Sequence, residues 1–351
     1  MRIIHTADIH LASKLDSKFD KVTSSTRKVE LRNTFKRLVD YAKQESINYI
    51  LLSGDIFDSD NPSKKDKDYF YGVIKNNPSI TFFYLKGNHD IYNTNVEEYD
   101  NLKVFSNEWN YYYFDNVCIC GIELSTSNST SMYSTLTLNE NNVNIVMIHG
   151  QIGSTSKDIN LLKLRNKNID YLALGHIHKY QTGVIDDRAS YAYCGCLEPR
   201  GFDEIGEKGF IELEINENKI NHKFIPFSKR TILEKQVDIS LTSDVYSIVS
   251  LIEKEIDFVK ENMYRIILTG EVDIDVDDIK DDIYEAINDN AYFINIVDKT
   301  TKVFDIHKYD YDLSLKGEFV RTVYANDSYS KEEKIKIITL GLKALDKKGV
   351  E

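Results

Sequence analysis

The sequence predicts an α/β sandwich with at least partly parallel sheets, followed by a smaller α/β domain. Three observations carry that reading. Short apolar runs alternate with helical patterns as far as about residue 226. Five motifs rich in Asp, Asn and His each follow directly on one of those runs. From Thr231 onward the texture changes to amphipathic helices separated by two strand-like runs.

The elements follow in order. Residues 2–6, 49–53, 81–85, 117–122, 143–148 and 171–174 read as buried strands, because each is a short, nearly continuous apolar run. Between the first two, Leu31, Phe35, Leu38 and Ala42 recur at helical spacing, and residues 158–167 read as a further helix before the strand at Tyr171. Residues 190–195, 209–215 and 219–227 look like hairpin strands closing the unit, with 216–218 as the turn. In the last third the pattern predicts helices at 244–260, 277–288 and 331–347 and strands at 264–269 and 292–297. At 351 residues the chain exceeds the usual single-domain size, and the expected division is 1–228 and 231–351.

The formal net charge of −12 argues against passive nucleic-acid binding by a basic surface. Residues 1–229 carry 27 basic and 30 acidic side chains, against 17 and 26 in residues 230–351, so the last third is expected to be a poor DNA clamp alone. Bound cations would reverse the local sign in the first part, so acidity does not exclude a phosphate substrate there. The first residues run straight into a strand-like segment with no leader pattern, and no later apolar stretch approaches membrane-spanning length. A cytoplasmic protein is the expectation. Cys118, Cys120, Cys194 and Cys196 form two C-x-C pairs in strand-like segments, without zinc-site spacing, and read as reduced structural cysteines.

The five motifs are Asp8-Ile9-His10, Gly54-Asp55, Gly87-Asn88-His89-Asp90, His149-Gly150 and Gly175-His176-Ile177-His178. Loops beyond the carboxyl ends of strands share one edge in α/β folds, so residues distant in sequence converge there. Two divalent cations roughly 3.5–4 Å apart grip the attacking and leaving oxygens of a phosphodiester. Two Asp, one Asn and four His suit manganese, iron or zinc better than magnesium, which favours an all-oxygen shell. Singly, D-x-H, Gly-Asp and His-Gly are commonly structural; the five together, in this order, carry the argument.

That order resembles the calcineurin-like metallophosphoesterase superfamily. The flanks His5 to Leu11, Gly54 to Asp58 and Lys86 to Asp90 are similar to the SbcD/Mre-type DNA-repair nucleases, particularly a YhaO-like branch, as are Gly201 to Gly209 and Leu315 to Arg321. The resemblance implies a four-layer β-sandwich flanked by helices with a C-terminal capping domain that selects and orients DNA. It implies one metal held by Asp8, His10, Asp55 and His178, and a second held by Asp55, Asn88, His149 and His176, with Asp55 as the bridge. Water would then attack phosphorus without a covalent enzyme intermediate. His89 would face the scissile phosphate and Asp90 would orient its ring, the alternative for Asp90 being a helix cap. Arg200 reads as a phosphate contact or, equally, a surface ion-pair partner of Glu198 or Glu204. The resemblance further implies manganese, a homodimer and an SMC-like ATPase partner, SbcC-like or YhaN-like. Asp58 stands where archaeal and eukaryotic relatives usually have His, which leaves the polarity of end processing open. A phosphodiesterase acting on small nucleotides or other diesters, and an inactive scaffold for an ATPase, are the rival readings.

Other features read as structural. His5, His222 and His307 are core or surface residues, the acidic run 273–282 lacks EF-hand spacing and reads as a solvated face, and Tyr111 to Tyr113 read as packing.

Overall fold

The computed structural model describes the chain except residues 16–18, 59–61, 91–96, 241, 243, 303–305 and 346–351. Two compact units emerge: residues 1–233 with 261–263, and residues 234–260 with 264–351.

The first unit runs β1 (Arg2–Thr6), α1 (Lys21–Gln44), β2 (Tyr49–Ser53), α2 (Lys64–Lys75), β3 (Thr81–Leu85), β4 (Leu102–Val104), β5 (Asn110–Phe114), β6 (Val117–Gly121), α3 (Met132–Thr135), β7 (Val143–His149), α4 (Leu161–Leu164), β8 (Tyr171–Gly175), β9 (Gln181–Val184), β10 (Ser190–Tyr193), β11 (Gly209–Asn216) and β12 (Lys219–Pro226). One sheet has the order β12-β11-β1-β2-β3-β4, with β1 to β4 parallel and β11 and β12 antiparallel. The other has the order β5-β6-β7-β8-β10-β9, with β6, β7, β8 and β10 parallel and antiparallel edges at β5 and β9. The mixed α/β class expected from the sequence is borne out.

Alternation along the strands builds the layers. Ile4, Ile50, Leu52 and Phe82 pack against Phe35, Leu38, Val39 and Ala42 of α1 and Phe70 and Ile74 of α2. Their neighbours Ile3, Leu51 and Phe83 turn the other way, onto Val117, Ile119, Ile145 and Tyr171 of the second sheet. Val146, Ile148, Leu172 and Leu174 face outward again, to Met132, Tyr133 and Leu164. Helix, sheet, sheet and helix therefore stack in four layers, each interface apolar. The start of α1 is set by Asp20, whose carboxylate accepts from the Val22 and Thr23 N–H groups at 2.8 and 3.0 Å.

Some expectations are corrected. Residues 158–167 hold only the single turn of α4, because Asp158 and Asn160 bond nearby backbone N–H groups and Asn166 turns left-handed at φ 57°. The segment at 190–195 does not join a closing hairpin with β11 and β12; β10 lies in the second sheet, parallel to β8 and paired antiparallel with β9. The turn is shorter than expected: β11 continues through Asn216, and Glu217 and Asn218, both left-handed, link it to β12. Cys194 and Cys196 lie beyond the end of β10, and all four cysteines are buried and free.

The second unit comprises β13 (Ile232–Asp238), whose first residues belong to the first unit, then α5 (Val245–Glu255), β14 (Met263–Thr269), β15 (Glu271–Val272), α6 (Val276–Ile287), β16 (Phe293–Asp298), β17 (Thr301–Lys302), α7 (Leu315–Tyr324) and α8 (Lys331–Leu345). Strands β13, β14 and β16 form one sheet, and β15 pairs with β17. Asp244 caps α5 through the Ser247 N–H at 2.9 Å. The acidic run opens α6: Val276, Ile283 and Ile287 are buried while Asp277, Asp278, Asp281 and Asp282 are exposed, and the first two complement the helix dipole. Among the described residues, no helix is long and apolar enough to cross a membrane.

Candidate metal centre

The five polar motifs sit at the carboxyl ends of β1, β2, β3, β7 and β8. Beyond their strands, the first two loops remain hydrogen-bonded to one another: Asp8 N–H to the Gly54 carbonyl at 3.0 Å, His10 N–H to Asp55 at 3.0 Å and Leu11 N–H to Ile56 at 2.8 Å. That pairing holds an unusual backbone. Asp8, His10 and Asp55 are left-handed at φ 50°, 50° and 51°, and His176 stands at φ 105°. Such conformations cost about 1–3 kcal/mol each and persist where the surroundings enforce them. Close approach does the enforcing at Gly87, where an added Cβ would lie 2.1 Å from Asp55 Oδ1.

Two groups of side chains result. In the first, Asp8, His10 and His178 bring one potential ligating atom each within 4.8 Å of the others, and in the second Asp55, His149 and His176 do the same. Asn88 joins the second group, its Oδ1 lying 3.1 Å from His149 Nε2 and 3.0 Å from His176 Nδ1. Asp8 and Asp55 are buried, and the Asp8 carboxylate also accepts the His176 N–H at 3.0 and 3.1 Å. Asp55 Oδ1 accepts the His89 N–H at 2.9 Å, while Oδ2 lies 3.3 Å from His149 Nε2.

Carboxylates stand behind the rings of the first group. His10 Nδ1 lies 3.0 Å from Asp58 Oδ1, and His178 Nδ1 lies 2.8 Å from Glu204 Oε1. Arg200 Nη2 is also 3.1 Å from that Nδ1. Arginine only donates, so Nδ1 accepts from Arg200 when unprotonated and would turn to the nearer Glu204 carboxylate when protonated. Although burial opposes its ionisation, Glu204 is held well below the usual carboxylate range by His178 and Arg200. Burial likewise opposes charge on Asp58, which His10, Ser13 and Arg200 nevertheless hold down at about 2. In the second group the His149 Nδ1–H donates to the Ser53 carbonyl at 2.8 Å.

This donor set fits divalent metal. With Nδ1 protonated on each ring, His10 Nε2 and His178 Nε2, 3.1 Å apart, would both offer lone pairs to a metal ion. In the other group His149 Nε2 faces the oxygens of Asn88 and Asp55. A divalent ion between these atoms would satisfy their lone pairs together. The surroundings of His149 also favour positive charge: burial disfavours it, yet Asp55 and Asp8 push its pKa up to about 9.

Three residues differ from their expected roles. Asp90 does not orient the His89 ring. It is fully buried, and its carboxylate accepts the N–H groups of Phe57, Ile56 and Gly87 at 2.9, 3.0 and 3.1 Å, pinning the β2 and β3 loops together. Burial and the neighbouring Asp55 push its pKa up to about 7. Arg200 is not an open phosphate contact, nor is its ion pair on the surface. It is 9% exposed, bonding Asp58 Oδ1 through Nη1 at 2.8 Å and Glu204 through Nη2, Nε and its own backbone N–H at 2.8, 3.0 and 2.6 Å. Asp58, read from sequence as a branch-specific departure, is the partner of His10. The i,i+4 spacing of Arg200 and Glu204 was the available signal for part of this arrangement, while the support from Asp58 depends on folding alone.

His89 lies outside both groups, half-buried, its ring edge-on to His10 with centroids 5.4 Å apart. His5, buried in β1, bonds the Tyr171 hydroxyl at 2.9 Å; His222 lies 3.2 Å from the Thr182 hydroxyl, and exposed His307 pairs with Asp310. None of these three belongs to either group.

Comparisons with known proteins agree with this geometry. The protein named "uncharacterized metallophosphoesterase YhaO" of Bacillus subtilis is 27% identical over 250 residues, which is 64% of this chain and 60% of that protein. The chain therefore matches less than two thirds of that relative's length. The DNA double-strand break repair protein Mre11 of Sulfolobus acidocaldarius is 24% identical over 299 residues, 78% of this chain and 76% of its own. Among solved structures, a dimetal phosphatase from Danio rerio has a TM-score of 0.45 at 13% identity, covering 64% of this chain and 95% of that one. The family described as calcineurin-like phosphoesterase matches residues 1–180, the stretch that supplies the strand ends bearing every residue of both groups, and the chain belongs to that family of metallophosphoesterases.

Proposed function

We propose that this chain is a DNA nuclease that hydrolyses phosphodiester bonds at a dinuclear metal site, in double-strand-break repair or end processing. The observation that carries the choice of DNA is the 299-residue match to Mre11, which is longer than the 180-residue phosphoesterase match and extends the likeness beyond the hydrolytic core. Asp8, His10, Asp55 and His178 would hold one ion, and Asp55, Asn88, His149 and His176 the other. Manganese suits the mixed oxygen and imidazole donors. Two such ions, when bound, would neutralise phosphodiester charge and acidify the attacking water.

The chain's own groups do the rest. The His149 Nδ1–H bond to Ser53 and the carboxylates behind His10 and His178 would hold the outer protons at Nδ1 and aim the inner nitrogens at the site. Asp90 ties the Asp55 loop to the His89 loop through its three backbone bonds. His89, held in place by its N–H bond to Asp55, would keep a proton at the leaving oxygen. Residues 231–351 would form a DNA-orienting cap, and the active assembly would be a homodimer working with an SMC-like ATPase.

The test uses the purified chain with Mn²⁺ and three substrates: labelled linear duplex, single-stranded DNA and a chromogenic diester. Cleavage of DNA that is lost in His89→Gln is expected. Turnover of the chromogenic diester alone would replace DNA with a small-diester substrate, and metal binding without any turnover would favour the scaffold reading.

A further inference from the structure

We propose that the two ion positions are unequal: the one at Asp8, His10 and His178 fills first and holds its ion more tightly, and Asp58, Glu204 and Arg200 are the positioning residues that make it so. This inference rests on the two-ion reading above and deepens it.

The asymmetry lies behind the ligands. In the first group a carboxylate lies beside the outer nitrogen of each ring, Asp58 3.0 Å from His10 Nδ1 and Glu204 2.8 Å from His178 Nδ1, which Arg200 Nη2 also approaches at 3.1 Å. A carboxylate on the outer nitrogen fixes the tautomer and makes the inner nitrogen a stronger donor. Neither carboxylate can readily swing away. Arg200 spans them both, its guanidinium planar and nine-tenths buried, with Nη1 on Asp58 and Nη2 and Nε on Glu204. Ser13 Oγ donates to the remaining Asp58 oxygen at 2.6 Å, and the Arg200 N–H to the remaining Glu204 oxygen at 2.6 Å.

The second group lacks this support. His149 is backed by a neutral carbonyl, and Asn88 is a neutral, exposed side chain. Among the described residues no carboxylate stands behind either ring. The first position is thus preorganised and anionic at its back, while the second depends on Asp55 and neutral donors. Arg200 offsets one of the two supporting charges, leaving a net negative support behind the first group.

The test titrates Mn²⁺ into metal-free protein by isothermal calorimetry, with circular dichroism confirming that each variant is folded. Two binding steps of different affinity are expected in the wild type. Glu204→Gln should weaken the tighter step by about 10–100-fold and leave the weaker one unchanged. Asp58→Asn, an independent near-isosteric change on the other ring, should do the same. Asn88→Ala should remove the weaker step and spare the tighter. Two equal steps in the wild type, or variants that weaken both steps alike or neither, would overturn the inference while leaving the two-ion reading intact. Failure of the wild type to bind any Mn²⁺ would overturn both.

Discussion

The two units treat buried polarity in opposite ways. Among the described residues, every buried polar or charged side chain lies in the first unit, from His5 to Arg230, and the left-handed non-glycine residues are confined there too. The core of the second unit is apolar, built on residues such as Ile248, Ile252, Ile266, Leu268, Ile283, Ile287 and Val320. Buried ions and left-handed backbone both oppose folding. In the first unit Asp8, His10 and Asp55 combine both features at the candidate metal centre, while Arg27, Glu30, Glu198 and Arg230 form a separate buried ionic network.

The largest effect expected from breaking this contrast is at Asp55. Asp55→Ala removes the carboxylate shared by both proposed ion positions, and turnover should fall by about three orders of magnitude or more, the several kcal/mol that metal-ion charge stabilisation supplies. Metal content measured alongside kcat should fall with it; an undiminished pair of ions would remove Asp55 from its bridging role. Next is His89→Gln, expected to lower kcat by about 10²–10⁴-fold while metal content stays at the wild-type level. Loss of the ions in that variant would show that His89 supports the site instead of serving the leaving group.

A third test addresses stability. Glu30 of α1 is buried between Arg27 and Arg230, with the Arg230 Nε bond at 2.9 Å, and Arg27 continues to Glu198 at 3.0 Å. Glu30→Gln leaves buried guanidinium charge uncompensated and should destabilise the first unit by about 3–5 kcal/mol in urea unfolding at pH 7. Burial opposes ionisation of Glu30, yet Arg230, Lys229 and Arg27 hold its pKa down at about 2, against an ordinary value of 4.5. A depressed carboxylate stabilises the fold fully above its unfolded pKa, so this contribution is present above pH 4.5 and lost as the pH falls toward 2. The wild type should therefore lose part of its advantage over the variant across that window, and a constant difference would contradict the assignment. The smallest effect is expected in the second unit: Asp277→Asn, exposed in the first turn of α6, should change stability by no more than about 1 kcal/mol. A substantially larger loss on thermal unfolding would show that this unit also relies on charge.

How much was legible follows the same division. Strands β1, β2, β3, β7 and β8 were readable because parallel strands buried on both faces are continuous apolar runs, and those runs point directly to the polar motifs at their ends. Edge strand β9, Gln181–Val184, is mostly exposed and carries no such run, and β4 has only three residues. Helical spacing at 158–167 misled because Asn160 caps a helix that ends within one turn, at Leu164, before left-handed Asn166. At the site, motif order brought the ligand candidates into view, but neither backbone strain at His176 nor the supports behind the rings has a local sequence pattern. Asp90 was misread because adjacency to His89 suggested a partner, whereas its side chain turns back onto three backbone N–H groups. Arg200 was left open between phosphate and a glutamate partner, because one arginine can serve either; the Glu204 pair is formed, but its burial and the bond to Asp58 depend on folding.

The central claim is that the polar motifs of the first unit hold two divalent ions, with Asp55 shared between them. Equilibrium dialysis of metal-free protein against saturating Mn²⁺ tests this most directly. The account predicts two ions per chain in the wild type and fewer than two in Asp55→Ala. One ion or none in the folded wild type at saturation would contradict it.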